Sequence, residues 1–368
     1  MAEPLKNIYN DAFFAEFASA VKTVVPGLQI KKFIATVKSN QWQQMELKQR
    51  MRQLATAMHN VLTGSYKNKL QDVLKIMNAL PKKSAVQYGG LAYMLIPDFV
   101  EQYGLLYPDL SLKAMEHITQ FTSCEFAIRP YLLQYPEKVM QQMLQWSQHK
   151  NENVRRFSCE GCRPRLPWAM AIPALKKDPS LILPILENLK NDSSEFVRRS
   201  VANNLNDISK DNPELVIKIV TGWKNRDTNT DWIIRHACRG LLKKANNEVL
   251  ELFGTGSNTK CTVLNLSISK KKIALGEQVL FSFALKLIQK KPAKLRVEYA
   301  VYFIKANGKQ SKKIFKITEN LFIPGAVVNY TKKHSFKDLT TRKHYAGKHV
   351  VSIIVNGKEY NCVQLELY

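Results

Sequence analysis

Two segments in the middle of the sequence combine acidic and basic side chains at helical spacing. The first contains Arg156 and Glu160, and the second contains Arg199, Asn203 and Asp207. Because residues four apart lie on one face of a helix, each segment presents these groups along a single side. A basic surface with embedded carboxylates is suited to hold nucleic-acid phosphates around a small reactive centre.

The predicted basic strip consists of Arg155, Arg156, Arg163, Arg165, Arg198, Arg199, Arg235 and Arg239. Glu160, Asp207 and Trp168 lie among these arginines in the sequence. Both carboxylates also have a structural interpretation. Arg156 and Glu160 fit a helix-surface pair worth only about 0.3 kcal/mol, and Asp207 fits a pair with Arg199 or a cap of the next turn.

Other candidate groups favour a structural role on the residues alone. Trp168 follows a proline, where a tryptophan is more often core or a packing lid. Thr122 and Glu125 match a capping box. Cys159 and Cys162 have the spacing of half a zinc site, but without a second such pair, buried structural cysteines are the favoured interpretation.

Several familiar catalytic motifs are absent from the sequence. It contains no GxxxxGK[ST] loop, no GxGxxG, no HExxH and no GxSxG. These absences argue against ATP hydrolysis, dinucleotide chemistry and zincin-type proteolysis. We therefore predict neither a metal nor a small-molecule cofactor.

An internal repeat predicts the elements that position these residues. Three segments run from a proline to an arginine 20 to 22 residues later: Pro136 to Arg156, Pro179 to Arg199, and Pro213 to Arg235. Each reads as a proline-started helix, a polar turn and a second, basic helix, which is typical of HEAT-like and armadillo solenoids. Helical patterns upstream cover Gln41–Leu62, Tyr66–Leu80, Leu91–Tyr103 and Ser111–Phe121.

After Ser257 the apolar period changes from helical to two. Alternation predicts strands over Val279–Leu287, Leu295–Phe303, Val351–Val355 and Val363–Leu367, with hairpin signals at Asn307-Gly308 and Asn356-Gly357. About seven strands in this length are typical of an immunoglobulin-like β-sandwich. We predict a helical-repeat domain over residues 1–256 and a β-sandwich over residues 257–368.

The chain of 368 residues has a formal charge of +25, and the excess is largest in the tail. Residues 258–368 contain 21 basic and 6 acidic side chains, and 19 of the basic ones are lysine. Such an excess attracts a polyanion, and lysine suits phosphate contacts better than base reading. The tail candidates for DNA contact are Lys309, Lys312, Lys313, Lys332, Lys333, Arg342 and Lys343.

No apolar run is long enough for a membrane span, and the first residues do not resemble a signal peptide. The six cysteines are too few and too scattered for a secreted disulfide framework. We expect a cytoplasmic protein with no membrane contact.

Three runs of residues are specific enough to compare with a known family. They are Glu160-Gly-Cys-Arg-Pro-Arg-Leu-Pro-Trp168, Val197-Arg-Arg with Asn203-Asn-Leu-Asn-Asp207, and Glu125-Phe-Ala-Ile-Arg129. Together with the start, Glu3-Pro-Leu-Lys-Asn, they resemble the AlkC family of alkylpurine DNA glycosylases. The resemblance covers essentially the whole chain.

The resemblance implies HEAT-like repeats, related to those of AlkD, and the C-terminal immunoglobulin-like domain of one AlkC subgroup. It implies that the protein excises 3-methyladenine, and in this subgroup 3-methylcytosine, from duplex DNA without flipping the base into a deep pocket. Matched by motif, Glu125, Glu160, Trp168 and Asp207 are the active-site residues, and we expect Asp207 to stabilise the sugar cation.

We expect a monofunctional enzyme that acts as a monomer on alkylated double-stranded DNA in a bacterial cytoplasm, at the nucleoid, and leaves an abasic site. The alternative is a solenoid protein that binds bent or damaged DNA, or structured RNA, without catalysis.

Overall fold

The structure is a computed structural model that describes residues 3–38, 41–81, 89–256, 258–339 and 342–368. The chain divides into two compact units. The first consists of Met1–Asn212 with Trp223–Ala237, and the second of Pro213–Gly222 with Cys238–Tyr368. The predicted boundary between residues 256 and 257 stays a prediction, and residue 257 lies outside the described residues.

The helical part of the chain confirms the predicted fold class. Its α-helices are α1 Asp11–Lys22, α2 Ile30–Val37, α3 Leu47–Val61, α4 Tyr66–Ala79, α5 Gly89–Ala92, α6 Leu95–Tyr103, α7 Pro108–Ile118, α8 Ile128–Gln134, α9 Pro136–Trp146, α10 Glu152–Gly161, α11 Pro173–Lys177, α12 Leu183–Leu189, α13 Glu195–Ile208, α14 Pro213–Trp223, α15 Thr228–Ala237, α16 Arg239–Lys243 and α17 Asn247–Leu252. Single 3₁₀ turns cover Leu5–Ile8 and Ser180–Ile182.

The second helices of the repeats pack side by side. In the first compact unit α13 contacts α10 on one side and α15 on the other, and α9 and α12 pack behind α10 and α13. The face of α13 that makes these contacts carries Val197, Val201, Leu205 and Ile208, all completely or almost completely buried. Burial of these four apolar residues fixes the rotation of α13 about its axis. The directions of the polar residues between them are therefore fixed as well.

Two helix starts differ from the sequence pattern for local reasons. The helix predicted from Gln41 begins at Leu47, because Glu46 and Gln49 exchange hydrogen bonds with each other's backbone N–H groups and form a capping box there. The second repeat begins with the 3₁₀ turn Ser180–Ile182, and Pro184 lies in the first turn of α12, where its missing N–H costs no helical hydrogen bond.

The β-rich tail forms two sheets with a shared core. The strands are β1 Cys261–Ile268, β2 Lys272–Ile273, β3 Gln278–Leu287, β4 Ala293–Ile304, β5 Gln310–Phe322, β6 Val327–Ser335, β7 Gly347–Val355 and β8 Lys358–Leu367. The sheets have the orders β1-β3-β6 and β2-β8-β7-β4-β5, antiparallel except for the β2–β8 pair.

Both predicted hairpins are present in the second unit. Asn307-Gly308 connects β4 to β5, and Asn356-Gly357 connects β7 to β8. Asn356 and Gly357 both have positive φ, at 48° and 78°. These values are those of a two-residue type I′ turn, whose twist matches that of the strands it joins.

Within the part of the chain that the structure describes, no helix is both long enough and apolar enough to cross a membrane.

Candidate active site

The three carboxylates singled out in the sequence belong to one chain of alternating charges in the first compact unit. Arg163 is the central link. Its Nη1 donates to Glu160 Oε1 at 2.6 Å, and its Nε and Nη2 donate to Asp207 Oδ2 at 2.9 and 2.8 Å. Glu160 is at the end of α10 and Asp207 in the last turn of α13, so the packing of these helices brings the two carboxylates to one guanidinium.

Arg156 extends this chain to Glu125. Its guanidinium donates to Glu125 and, at 2.8 Å, to Ser123 Oγ, while its Nη2 lies 3.6 Å from Glu160 Oε1. The opposite end is formed by Lys210, whose Nζ donates to Asp207 Oδ1 at 2.9 Å. The order Glu125, Arg156, Glu160, Arg163, Asp207 and Lys210 defines what we call the charge chain.

Burial separates the charge chain into an inner and an outer part. Glu160, Arg163 and Asp207 are 5, 7 and 2% exposed, whereas the side chain of Lys210 is 46% exposed. Burial opposes the charge on Arg163, but Glu160 and Asp207 outweigh it, so the pKa of Arg163 is raised above its ordinary value. The carboxylates are therefore held beside a permanent cation in a water-poor setting.

The structural roles that the sequence offered for these carboxylates do not all agree with the structure. Arg156 and Glu160 do pair, but they lie beneath the surface, and Arg163 also pairs with Glu160. Asp207 does not use Arg199, which pairs with Glu195 on an exposed face. The capping box expected at Glu125 is wrong, because α8 begins at Ile128 and has no side-chain cap.

Trp168 is not a core residue. Its side chain is 60% exposed, and its backbone has a φ of 63°, which is unusual for a bulky residue. Among the described residues, no hydrogen bond or ion pair joins Trp168 to the charge chain. The loop between α10 and α11 therefore presents an indole at the surface instead of packing it.

The predicted basic strip contains arginines in several settings. Arg155 forms a two-hydrogen-bond pair with Asp192 and Arg165 with Asp211, and Arg198 donates to two backbone carbonyls before α13. Arg163 departs from the expected surface strip, because it is buried within the charge chain. Arg199 and Arg235 are exposed, and Arg239 belongs to the second compact unit.

The lysine-rich positions of the tail lie mainly in strands and not at turns. Lys309 precedes β5 in the hairpin, Lys312 and Lys313 are in β5, and Lys332 and Lys333 are in β6. Both β5 and β6 are edge strands, where charged side chains face solvent and block pairing with other chains.

The basic side chains of the tail differ in what they contact. Lys312 Nζ is 2.6 Å from Glu359 Oε2. The guanidinium of Arg342 lies 4.7 Å from the centre of the Phe303 ring, and Lys343 is exposed beside it. A lysine already paired with a carboxylate has less to gain from a phosphate than one that faces only water.

Sequence inspection missed three polar partners of the carboxylates. Ser200 Oγ donates to Glu160 Oε2 at 2.6 Å, and Ser123 Oγ donates to Glu125 Oε2 at 2.7 Å. Lys210 could have been found, since it follows Asp207 by three residues, in the turn just after α13, and this spacing brings two side chains together at a helix end. The two serines come from distant or irregular segments and carry no such signal.

Cys159 and Cys162 are buried structural residues. Burial raises the pKa of Cys159 to about 12 and also raises that of Cys162, so neither thiol ionises readily. The Asn204 amide donates to the carbonyl of Cys159 at 2.9 Å. Among the residues that the structure describes, no group of three or more His, Cys, Asp or Glu side chains could hold a metal ion.

Comparison with known proteins assigns this arrangement to a family. The protein-family model described as "DNA alkylation repair enzyme" matches residues 49–241, which are more than half of the chain and include all of the charge chain. The chain belongs to the DNA alkylation repair enzyme family. A second model, described as "Uncharacterised protein YhaZ, C-terminal Ig-like domain", matches residues 262–368 of this family member.

Two relatives match this chain over all or nearly all of their length. The alkylation repair family member is 44% identical to YhaZ of Bacillus subtilis (strain 168) over 96% of each chain. It is 36% identical to Pseudomonas fluorescens alkylpurine DNA glycosylase AlkC bound to DNA containing an abasic site analog, with a TM-score of 0.94 and complete coverage of both chains. The family member thus has the AlkC-type fold with a C-terminal immunoglobulin-like domain.

Proposed function

We propose that this protein is a DNA glycosylase that hydrolyses the N-glycosidic bond of cationic alkylated bases in duplex DNA. The substrates we infer are 3-methyladenine and 3-methylcytosine, and the product is an abasic site. The charge chain carries the proposal, because it gathers three carboxylates within one set of hydrogen bonds and ion pairs in a family of alkylation repair enzymes. The similarity to AlkC bound to DNA supports DNA as the partner.

The chemistry requires little acid catalysis. Adenine or cytosine methylated at N3 carries a positive charge and is already a good leaving group, so its departure leaves an oxocarbenium-like sugar. A carboxylate fixed in a water-poor site stabilises that cation and orients the attacking water. A neutral base gains little from the same field, which accounts for selectivity toward cationic lesions.

Asp207 is the carboxylate best suited to face the sugar. One of its oxygens is fixed by the buried Arg163, and the other is held, among the described residues, by Lys210 alone, whose side chain is long and 46% exposed. Rotation of Lys210 toward a DNA phosphate would release that oxygen for the substrate. Glu160 has both oxygens engaged, by Arg163 and Ser200. Arg156 and Ser123 both contact Oε2 of Glu125, whose side chain is more exposed than that of Asp207, at 15% against 3%.

The exposed indole of Trp168 complements the carboxylates. An aromatic face attracts a cationic base or sugar by about 0.5–2 kcal/mol. An indole at the surface can reach a lesion that stays within the bent duplex, so no deep base pocket is required. We infer that the protein acts as a monomer in the cytoplasm, with the basic strip and the tail lysines on phosphate.

The test is release of free base from duplex DNA treated with N-methyl-N-nitrosourea. Wild type is expected to release 3-methyladenine, and Asp207→Asn is expected to reduce the single-turnover rate by about 100-fold or more while it still binds DNA. Glu298→Gln is the matched control, because Glu298 is also 2% exposed and paired with an arginine, but lies in a strand of the β-sandwich.

Two outcomes contradict the proposal. Binding of damaged duplex without base release by wild type indicates a non-catalytic binder. An equal loss of activity in Asp207→Asn and Glu298→Gln indicates that the effect comes from destabilisation and not from the site. A duplex with a single 3-methylcytosine tests the second substrate separately.

A further inference from the structure

The loop between α10 and α11, residues 162–172, carries Trp168 and both arginines of the Arg163-Pro-Arg165 run. Its own backbone hydrogen bonds are few and long, at 3.3 Å from Ala169 N to Leu166 O and 3.2 Å from Ile172 N to Pro164 O. The positive φ of Trp168 is a conformation that such a residue adopts only when its surroundings impose it. The loop therefore needs external contacts to hold its indole in one place.

Arg129 supplies the first set of external contacts. It lies in α8, is 1% exposed, and directs its guanidinium at the loop. Nη1 donates to the carbonyls of Gly161 and Arg163 at 2.9 and 2.6 Å, and Nε and Nη2 donate to that of Met170 at 3.1 and 2.6 Å. One rigid fork thus joins the start of the loop to its far side.

The partners of Arg129 are unusual for a buried cation. Within the described part of the chain its hydrogen bonds all go to backbone carbonyls, and burial lowers the pKa of Arg129 to about 10. A buried charge without a carboxylate partner is unfavourable and is retained where its geometry matters. A planar guanidinium with several N–H donors in fixed directions can hold the carbonyls of a loop at defined positions.

Lys48 supplies the second contact, from α3, 120 residues before Trp168. Its Nζ donates to the carbonyl oxygen of Trp168 at 3.0 Å and lies 4.8 Å from the centre of the Phe126 ring. Phe126 is adjacent to Glu125, so this lysine connects the peptide of Trp168 with the segment that carries the outermost carboxylate.

We propose that Arg129 and Lys48 are positioning residues that hold loop 162–172 in shape, so that the indole of Trp168 is fixed in place before DNA binds. The inference rests on the proposed function for its effect on catalysis, but not for its effect on the loop. A side chain that is held in place in advance loses less freedom when the transition state forms. Loss of the contacts that hold it is therefore expected to lower the rate of base release more than the affinity for DNA.

The test uses the full-length protein labelled with 5-fluorotryptophan, in which Trp168→Phe identifies the Trp168 resonance. Lys48→Met is expected to shift or broaden this resonance, and to lower the single-turnover rate of base release by about 10-fold with KM changed less than twofold. Lys48→Arg retains a donor and is expected to restore both. Lys75→Met is the control, since Lys75 pairs with Asp72 on α4 and does not contact the loop.

The spectrum separates the two proposals. An unchanged Trp168 resonance in Lys48→Met overturns the positioning role, whatever the activity, and so does a rise in KM alone with an unchanged spectrum, which indicates a phosphate contact. If wild type releases no base, the proposed function fails while the spectrum still tests the loop. Arg129→Lys is expected to shift the same resonance. If that variant does not fold, the Lys48 variants alone test the positioning role.

Discussion

The guanidinium of Arg163 contacts two carboxylates that come from different repeats. Glu160 ends one second helix and Asp207 the next, 47 residues later along the chain. With both buried, their mutual repulsion would be large without a cation between them. Arg163 therefore has two effects, since it stabilises the packing of the repeats and offsets the repulsion between the two carboxylates.

Replacement of Arg163 tests this dual effect. Arg163→Met is expected to lower the free energy of unfolding by about 3–5 kcal/mol, because it leaves buried carboxylates without their shared cation. Urea unfolding followed by tryptophan fluorescence measures the loss. Arg199→Met removes a pair exposed on both sides and is expected to change stability by less than about 1 kcal/mol. Similar losses in the two variants would argue against the central place of Arg163.

At the scale of elements, the β-sandwich contains a cluster of buried histidines. His334 on β6, His344 before β7 and His349 on β7 surround the rings of Phe303 and Phe336 at centroid distances of 5.0 to 6.1 Å. All three are at most 6% exposed, and each has one ring nitrogen without a hydrogen-bond partner among the described atoms. The fold therefore places these rings where a positive charge on them is poorly solvated.

Burial, followed by the charge of Arg342 and the neighbouring histidines, lowers the pKa of His334 to about 4. Burial likewise lowers the pKa of His344, where Asp338 opposes the shift and Arg342 and Lys313 add to it, and that of His349. The unfolded chain then binds protons below a pH of about 6.5 that the folded sandwich does not bind.

The pH prediction follows from that difference. Stability of the sandwich is expected to fall as pH drops from about 6.5 to about 4, by roughly 3 kcal/mol for His334 alone. Urea unfolding by far-UV circular dichroism measures it, and the five tryptophans, all before residue 257, report separately on the rest of the chain. His334→Phe is expected to flatten the dependence, and an unchanged slope in this variant would contradict the assignment.

The whole molecule has a charge of +25, and its largest density lies in the β-sandwich. Salt therefore affects DNA binding strongly, because each phosphate contact releases bound counterions. Not every lysine contributes equally. Lys333 is exposed on the edge strand β6, whereas Lys312 already pairs with Glu359.

We expect the logarithm of the DNA-binding constant to fall linearly with the logarithm of salt concentration. Lys333→Gln is expected to reduce the slope by about 0.9, the value for one lost phosphate contact, and Lys312→Gln by less. Fluorescence anisotropy with an undamaged duplex between 50 and 200 mM salt measures both. A slope that neither substitution alters would place the DNA on a different surface.

The order of helices and strands could be predicted from the sequence because it depends on neighbouring residues. The apolar spacing of α13, the alternation in β3 and β4, and the Asn356-Gly357 turn each act within a few residues. Helix starts were less certain, because a cap such as that of Glu46 competes with the periodic pattern over the same short distance.

The sequence by itself determined the two architectures, the excess of positive charge and the residue types from which a reactive site can be built. Only the tertiary structure decided that Arg163 is buried between Glu160 and Asp207, and that Trp168 is exposed with its carbonyl bound by Lys48. The physical reason is distance along the chain. Periodicity reports which face of a helix is apolar, but the partner of a buried charge comes from another helix, and only packing chooses it.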